Sequence, residues 1–114
     1  MEAKQVVAAM AALAQDSRLA IFRHLVQTGP QSCAASKISE ALGIAPSSLS
    51  FHLKELSHAG LIDARQDGRF VFYSANFGAM NELLAFLTEN CCGGESCGPA
   101  SACVPASSAS DGAD

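Results

Sequence analysis

At 114 residues the chain has room for one small domain built on one core, with more surface to bury if a second copy joins it. A formal net charge of −4 argues against broad, nonspecific attraction to nucleic acid, yet all seven Lys and Arg lie at or before Arg69 and only acids follow Ala75, so any DNA contact belongs to the first part. No run approaches the roughly 18 apolar residues of a membrane span, and the chain reads as soluble with no membrane partner.

VVAAMAALA, residues 6–14, imitates the apolar core of a signal peptide, and Ala12-Leu13-Ala14 imitates its cleavage site. Glu2 cancels the charge of Lys4, however, and helical periodicity runs on into RLAIFRHL, so the expected address is cytoplasmic. Val6, Val7, Met10 and Leu13 recur at helical spacing in an alanine-rich segment, which suits a first helix packed against others or against a second subunit. Asp16 or Ser17 can cap a second helix, with Leu19, Ile21, Phe22, Leu25 and Val26 as its buried face and Gly29-Pro30 as its end. A third is expected over about Ala34 to Leu42, with Ile38, Ala41 and Leu42 inward and Gly43 as its stop.

Pro46 suits the first position of a fourth helix, because proline there gives up only an unused N–H. PSSLSFHLKELSHAG buries Leu49, Leu53 and Leu56 at i, i+4 and i+7 and is polar elsewhere. Two helices joined by a short glycine-containing turn form a helix-turn-helix, whose second helix enters the DNA major groove. LIDARQDGRFVFYSA then alternates as strands do on either side of Asp67-Gly68, a pair that favours a tight hairpin turn. A hairpin directly after a recognition helix makes a winged helix. Asn76 can cap a last helix in which Phe77, Met80, Leu83, Leu84 and Leu87 form one stripe, and such a stripe needs a partner surface.

The expected architecture is mainly α (α+β): a winged helix-turn-helix of five helices and a β-hairpin wing, assembled as a homodimer. Residues 1–90 would form the DNA-binding and dimerisation domain. Residues 91–114, almost wholly Gly, Ala, Ser, Pro and Cys, read as a flexible tail. On the fourth helix Ser47, Ser48, Ser50 and Lys54 lie off the leucine stripe and can reach double-stranded operator DNA, the hydroxyls at bases or phosphates and Lys54 at a phosphate. Arg69, beside the hairpin turn, can enter the minor groove, and Arg65 is a second candidate; for these cations the alternative is a solvated surface charge. His52 either touches the DNA backbone or packs. Phe51 either meets a thymine methyl or lies against its own wing.

The order of elements and several segments resemble the ArsR/SmtB family of dimeric winged-helix repressors over about residues 5–92. ALAQDSRLAIFRHL resembles the family's second-helix opening, although Gln15 and Asp16 stand where an acidic residue and proline are common. ISEALGIAPSSLSFHLKELSHAGLI resembles its reading helices more closely, and GRFVFYS its returning wing strand. Two sensors of the family are missing. Ala34, Ala35 and Ser36 stand in place of a Cys-Val-Cys motif, with Cys33 one position early, and residues 76–90 contain no His.

ENCCGGESC, residues 89–97, resembles the sensor of an arsenic-responsive subgroup, in which two vicinal cysteines and a third downstream hold the ion. The resemblance implies Cys91, Cys92 and Cys97 as ligands of trivalent arsenic or antimony acting as inducer. The chemistry is consistent: trivalent arsenic forms three bonds in a shallow pyramid, and soft thiolates select it. Neighbouring helical side chains diverge by about 100°, and Gly93-Gly94 frees the backbone to bring Cys97 back over the pair. Zinc with Cys103 as fourth ligand is the main metal competitor, but a vicinal pair fits its tetrahedral knuckles badly.

Other readings remain open: another soft metal, a methylated trivalent arsenical on Cys91 and Cys92 alone, a thiol-redox switch, or a metal carrier with a degenerate DNA domain. Five structural disulfide cysteines do not suit a reducing cytoplasm. An enzyme is not expected, because no nucleophile and base occur at recognisable spacing and the three His are spread over two helices without a shared motif.

Overall fold

The computed structural model describes residues 1–89. Their elements run α1 (Ala3–Leu13), α2 (Asp16–Thr28), β1 (Cys33–Ala34), α3 (Ala35–Leu42), α4 (Pro46–His58), β2 (Ile62–Asp67), β3 (Phe70–Ala75) and α5 (Phe77–Leu87). One compact unit extends from Met1 to Leu83; a second begins at Leu84, and its described part is the end of α5 and the two residues after it. The expected class holds: five helices and an antiparallel wing in the order of a winged helix-turn-helix. The expected tail, residues 91–114, lies outside the described residues.

The core is made where α2, α3 and α4 meet. Ile21 and Leu25 of α2, Ile38 of α3, Leu49 and Leu56 of α4, and Leu61 just beyond are fully buried. Spacings of three and four residues put the leucines of α4 on one stripe, so burying them leaves its opposite side to solvent. Chain reversals into and out of this cluster use left-handed backbone at Gly43 (φ 66°) and Gly60 (φ 77°), where a side chain would be strained.

Several local expectations are corrected. Gln15, not Asp16 or Ser17, caps α2: its side-chain oxygen accepts from the Arg18 N–H at 2.9 Å. On α1 the buried face is Val6, Ala9 and Ala12, while Val7 (66% exposed) and Met10 point outward. The small side chains allow α1 to approach its neighbours closely, and the bulkier ones are left without cover within this protomer. Leu19 on α2 and Ala41 on α3 are exposed as well, because neither faces the shared core.

A third strand was not expected. Cys33 and Ala34 pair with Tyr73 and Phe72, giving the sheet order β1-β3-β2, and α3 consequently begins at Ala35. In the hairpin Asp67 pairs with Phe70, so Gly68 and Arg69 form the loop, one residue later than Asp67-Gly68. Asn76 does cap α5: its Oδ1 accepts from the Ala79 N–H at 3.0 Å. Of the expected α5 stripe Leu83 is buried, Phe77 and Met80 are half-buried, and Leu84 and Leu87 are exposed. No helix among the described residues is long and apolar enough to cross a membrane.

Candidate nucleic-acid interface

Helices α3 and α4 are joined by Gly43, Ile44 and Ala45. The Gly43 and Ile44 N–H groups both donate to the Ser39 carbonyl, at 2.9 and 3.2 Å, which closes α3 tightly. The Ser39 hydroxyl donates to the Ile44 carbonyl and holds the turn from the other side. Ala45, in extended backbone, then starts α4 by accepting from the Leu49 N–H at 2.8 Å, with Pro46 at the first helical position. Ala45 has no side-chain acceptor to offer, so the N–H groups of Ser47 and Ser48 in the first turn stay open to an outside acceptor such as a phosphate oxygen.

Ser47, Ser48, Ser50, Phe51 and Lys54 are all exposed on α4, on the side away from Leu49, Leu53 and Leu56. Four of the six residues expected at DNA are therefore gathered on one helix surface as hydroxyls and a cation. Lys54 forms no ion pair among the described residues, so its ammonium is available. His52 differs from them: it is half-buried, and its Nδ1 is fully covered without a hydrogen-bond partner among the described residues. The ring therefore presents Nε2 as its remaining polar atom.

The wing separates its two arginines. Arg65 is engaged within the sheet: Nη2 donates to the Ser32 hydroxyl at 3.0 Å, Nη1 lies 3.9 Å from the Asp67 carboxylate, and the guanidinium stands 5.3 Å over the Phe72 ring. Arg69, in the hairpin loop, is exposed and has neither an ion pair nor a side-chain hydrogen bond among the described residues. Of the two, Arg69 is the cation free to enter a groove. Phe70 beside it is also largely exposed, a wing-tip apolar group that strand alternation alone did not single out.

The expected sensor residues Cys91, Cys92 and Cys97 lie outside the described residues, as does Cys103. α5 closes before them: the Thr88 hydroxyl donates back to the Leu84 carbonyl at 2.8 Å, and the Glu89 N–H reaches the Phe86 carbonyl in a tighter turn. Among the described residues α5 ends at Leu87, four positions before Cys91 in sequence. Cys33 is a free, half-buried thiol on β1. Burial raises its pKa, and the neighbouring Lys37 ammonium lowers it to a smaller extent. Such a thiol is a weaker nucleophile and ligand at neutral pH than an exposed one. Among the described residues no group of three or more His, Cys, Asp or Glu side chains is placed to hold a metal ion.

Residues 13–65, covering α2, α3, α4 and the start of the wing, match the family model of a helix-turn-helix domain. The chain is 30% identical over 90 residues to the HTH-type transcriptional regulator YgaV of Escherichia coli (strain K12), spanning 79% of this chain and 89% of that protein. It is 37% identical over 81 residues to the arsenical resistance operon repressor of Bacillus subtilis (strain 168), spanning 71% and 73%. Among solved structures it is similar to an ArsR-like transcriptional regulator from Rhodococcus sp. RHA1, with a TM-score of 0.65 and 25% identity over 74% of this chain and 76% of that one.

Proposed function

The chain belongs to the ArsR family of winged helix-turn-helix transcriptional regulators, and from that premise we propose that it is a repressor that holds operator DNA as a dimer and is released when trivalent arsenic or antimony is bound by Cys91, Cys92 and Cys97. The observation that carries the reading is the donor set itself: a vicinal thiol pair, two glycines and a third thiol, beginning four positions after the last residue of α5 in sequence. Three soft thiolates match the three bonds of trivalent arsenic. Likeness to the arsenical resistance operon repressor supports the same choice.

On DNA, the open N–H groups and hydroxyls of Ser47 and Ser48 and the Lys54 ammonium position α4 in the major groove, Ser50 reaches a base edge, His52 offers Nε2 to the backbone, and Arg69 takes the adjacent minor groove. A two-fold dimer presents two such helices to half-sites roughly 34 Å apart. The exposed Val7 and Met10 on α1, and separately Leu84 and Leu87 on α5, are apolar surface that a second copy would cover. Thiolate capture at the foot of α5 shifts the packing of that helix against its partner and so the spacing of the reading helices. The coupling is reciprocal, and operator DNA weakens arsenic binding by the same factor.

The test is a labelled operator titrated with arsenite, antimonite, methylarsenite, zinc and peroxide, on the native chain and on Cys91→Ser and Cys92→Ser. Both variants should bind operator normally and fail to release it with arsenite. Release at an unchanged arsenite concentration refutes the assignment, and release by peroxide alone transfers the cysteines to redox sensing.

A further inference from the structure

The reading surface of α4 contains one residue that neither phosphate contact nor hydrogen bonding explains. Phe51 is 58% exposed, in the middle of a helix whose other large apolar side chains, Leu49, Leu53 and Leu56, are buried. Two residues along an α-helix amount to about 200° of rotation, so Phe51 faces away from both Leu49 and Leu53. Ser47 and Ser48 lie four and three residues before it and Lys54 three after it, the spacings of same-face neighbours. The aromatic ring thus projects from the centre of the hydroxyl and ammonium surface.

It is not spoken for by the wing. The ring partner of Phe51 among the described residues is the adjacent His52, edge to face at 5.8 Å between centroids. The wing aromatics Phe70 and Phe72 pair with each other at 6.4 Å, and Phe72 also carries the Arg65 guanidinium. No aromatic pairing ties Phe51 to its own wing among the described residues, and more than half of its surface stays open.

We propose that Phe51 is a specificity-determining residue that reads thymine in each operator half-site by contact with the 5-methyl group. A phenyl ring has nothing to donate to a phosphate or to the polar edge of a base. In the major groove the thymine methyl is the distinctive apolar group among the four base pairs, and apolar side chains meet it. The flanking serines can pair with more than one base, so they leave the choice at that position to the ring. This inference rests on the operator-binding reading and adds to it the identity of a base.

The experiment is selection of sites from a random duplex pool with the full chain, followed by binding to the selected operator with individual thymines replaced by deoxyuridine. That replacement removes the methyl and keeps the Watson–Crick edge. Selection should enrich a thymine at a fixed offset in each half-site. Uracil there should weaken binding about fourfold per position, the equivalent of leaving one methyl-sized group unburied. Phe51→Ala, at an exposed position that the core does not use, should bind thymine and uracil operators equally. If the native chain binds the operator but does not distinguish uracil from thymine at any position, or if Phe51→Ala still distinguishes them, the assignment to Phe51 falls while the repressor reading stands. If selection enriches no motif, the repressor reading falls and this inference with it. Because the uracil comparison alters only the DNA, a native chain that fails to discriminate overturns the assignment even where the variant folds poorly.

Discussion

Replacing Lys54 with glutamine should flatten the salt dependence of operator binding by an amount set by the proposed phosphate contact. Each phosphate neutralised by a cation contributes about −0.9 to the slope of log affinity against log salt. Lys54 is exposed on α4 with no ion pair among the described residues, and in the proposed complex it supplies one such contact per subunit. A dimer loses two, and the slope becomes shallower by about 1.8. Between about 50 and about 200 mM salt, that difference changes the ratio of native to variant affinity roughly twelvefold, with the deficit largest at low salt. Arg65→Gln is the internal comparison, because the Arg65 guanidinium is already held by Ser32, Asp67 and the face of Phe72. Its slope should stay near that of the native chain. Fluorescence anisotropy with a labelled operator at four or five salt concentrations gives both slopes. A Lys54→Gln deficit that is constant across salt, or an Arg65→Gln slope change as large as that of Lys54→Gln, would refute the assignment of the contacts.

Two further outcomes follow from the core and from β1. Leu56→Ala removes a side chain with 0% exposure at the junction of α4 with the wing, and should lower unfolding stability by about 3 kcal/mol in urea titrations at fixed protein concentration; Ser50→Ala, at an exposed position, should stay within about 0.5 kcal/mol of the native value. Cys33 has its thiol pKa raised by burial, so the folded state retains the proton where the unfolded chain has lost it. Its stabilising contribution is complete below the unfolded thiol pKa and disappears as pH rises through the higher folded value. The stability difference between native and Cys33→Ala should therefore be flat through neutrality and shift in favour of the variant in the alkaline range, and a difference independent of pH would contradict the burial effect.

Much of this fold can be read locally. The leucine period of α4, the proline at its start, Gly43 at the end of α3 and the cap at Asn76 each depend on residues within one or two turns, and each appears where the pattern places it. What escaped depends on distant partners. Two residues cannot announce a strand, and Cys33-Ala34 becomes one only because β3, about forty positions later, offers an edge. The outward turn of Val7 and Met10 reflects which face of α1 its neighbours leave room for, a matter of volume that helical spacing does not contain. At the DNA surface the exposed serines and Lys54 were legible from the leucine stripe and the preference for Arg69 from its place beside the turn, whereas what holds Arg65 was not, since it turns on a hydroxyl 33 residues away in sequence. The hairpin loop fell one residue later than the Asp-Gly pair suggested because pairing of Asp67 with Phe70 extends the ladder to its full length.

The short strand at Cys33–Ala34 limits how such a molecule can let go. It continues without a spacer into α3 at Ala35 and is stitched to β3 on its other side, with the Arg65 to Ser32 bond as a further fastening. The hairpin is thereby tied to α3, which the short turn at Gly43, Ile44 and Ala45 joins to the reading helix α4. In the proposed repressor a displacement of α3 would be passed through this pairing to β3, so that the wing's hold on the minor groove would change along with that of the helix-turn-helix.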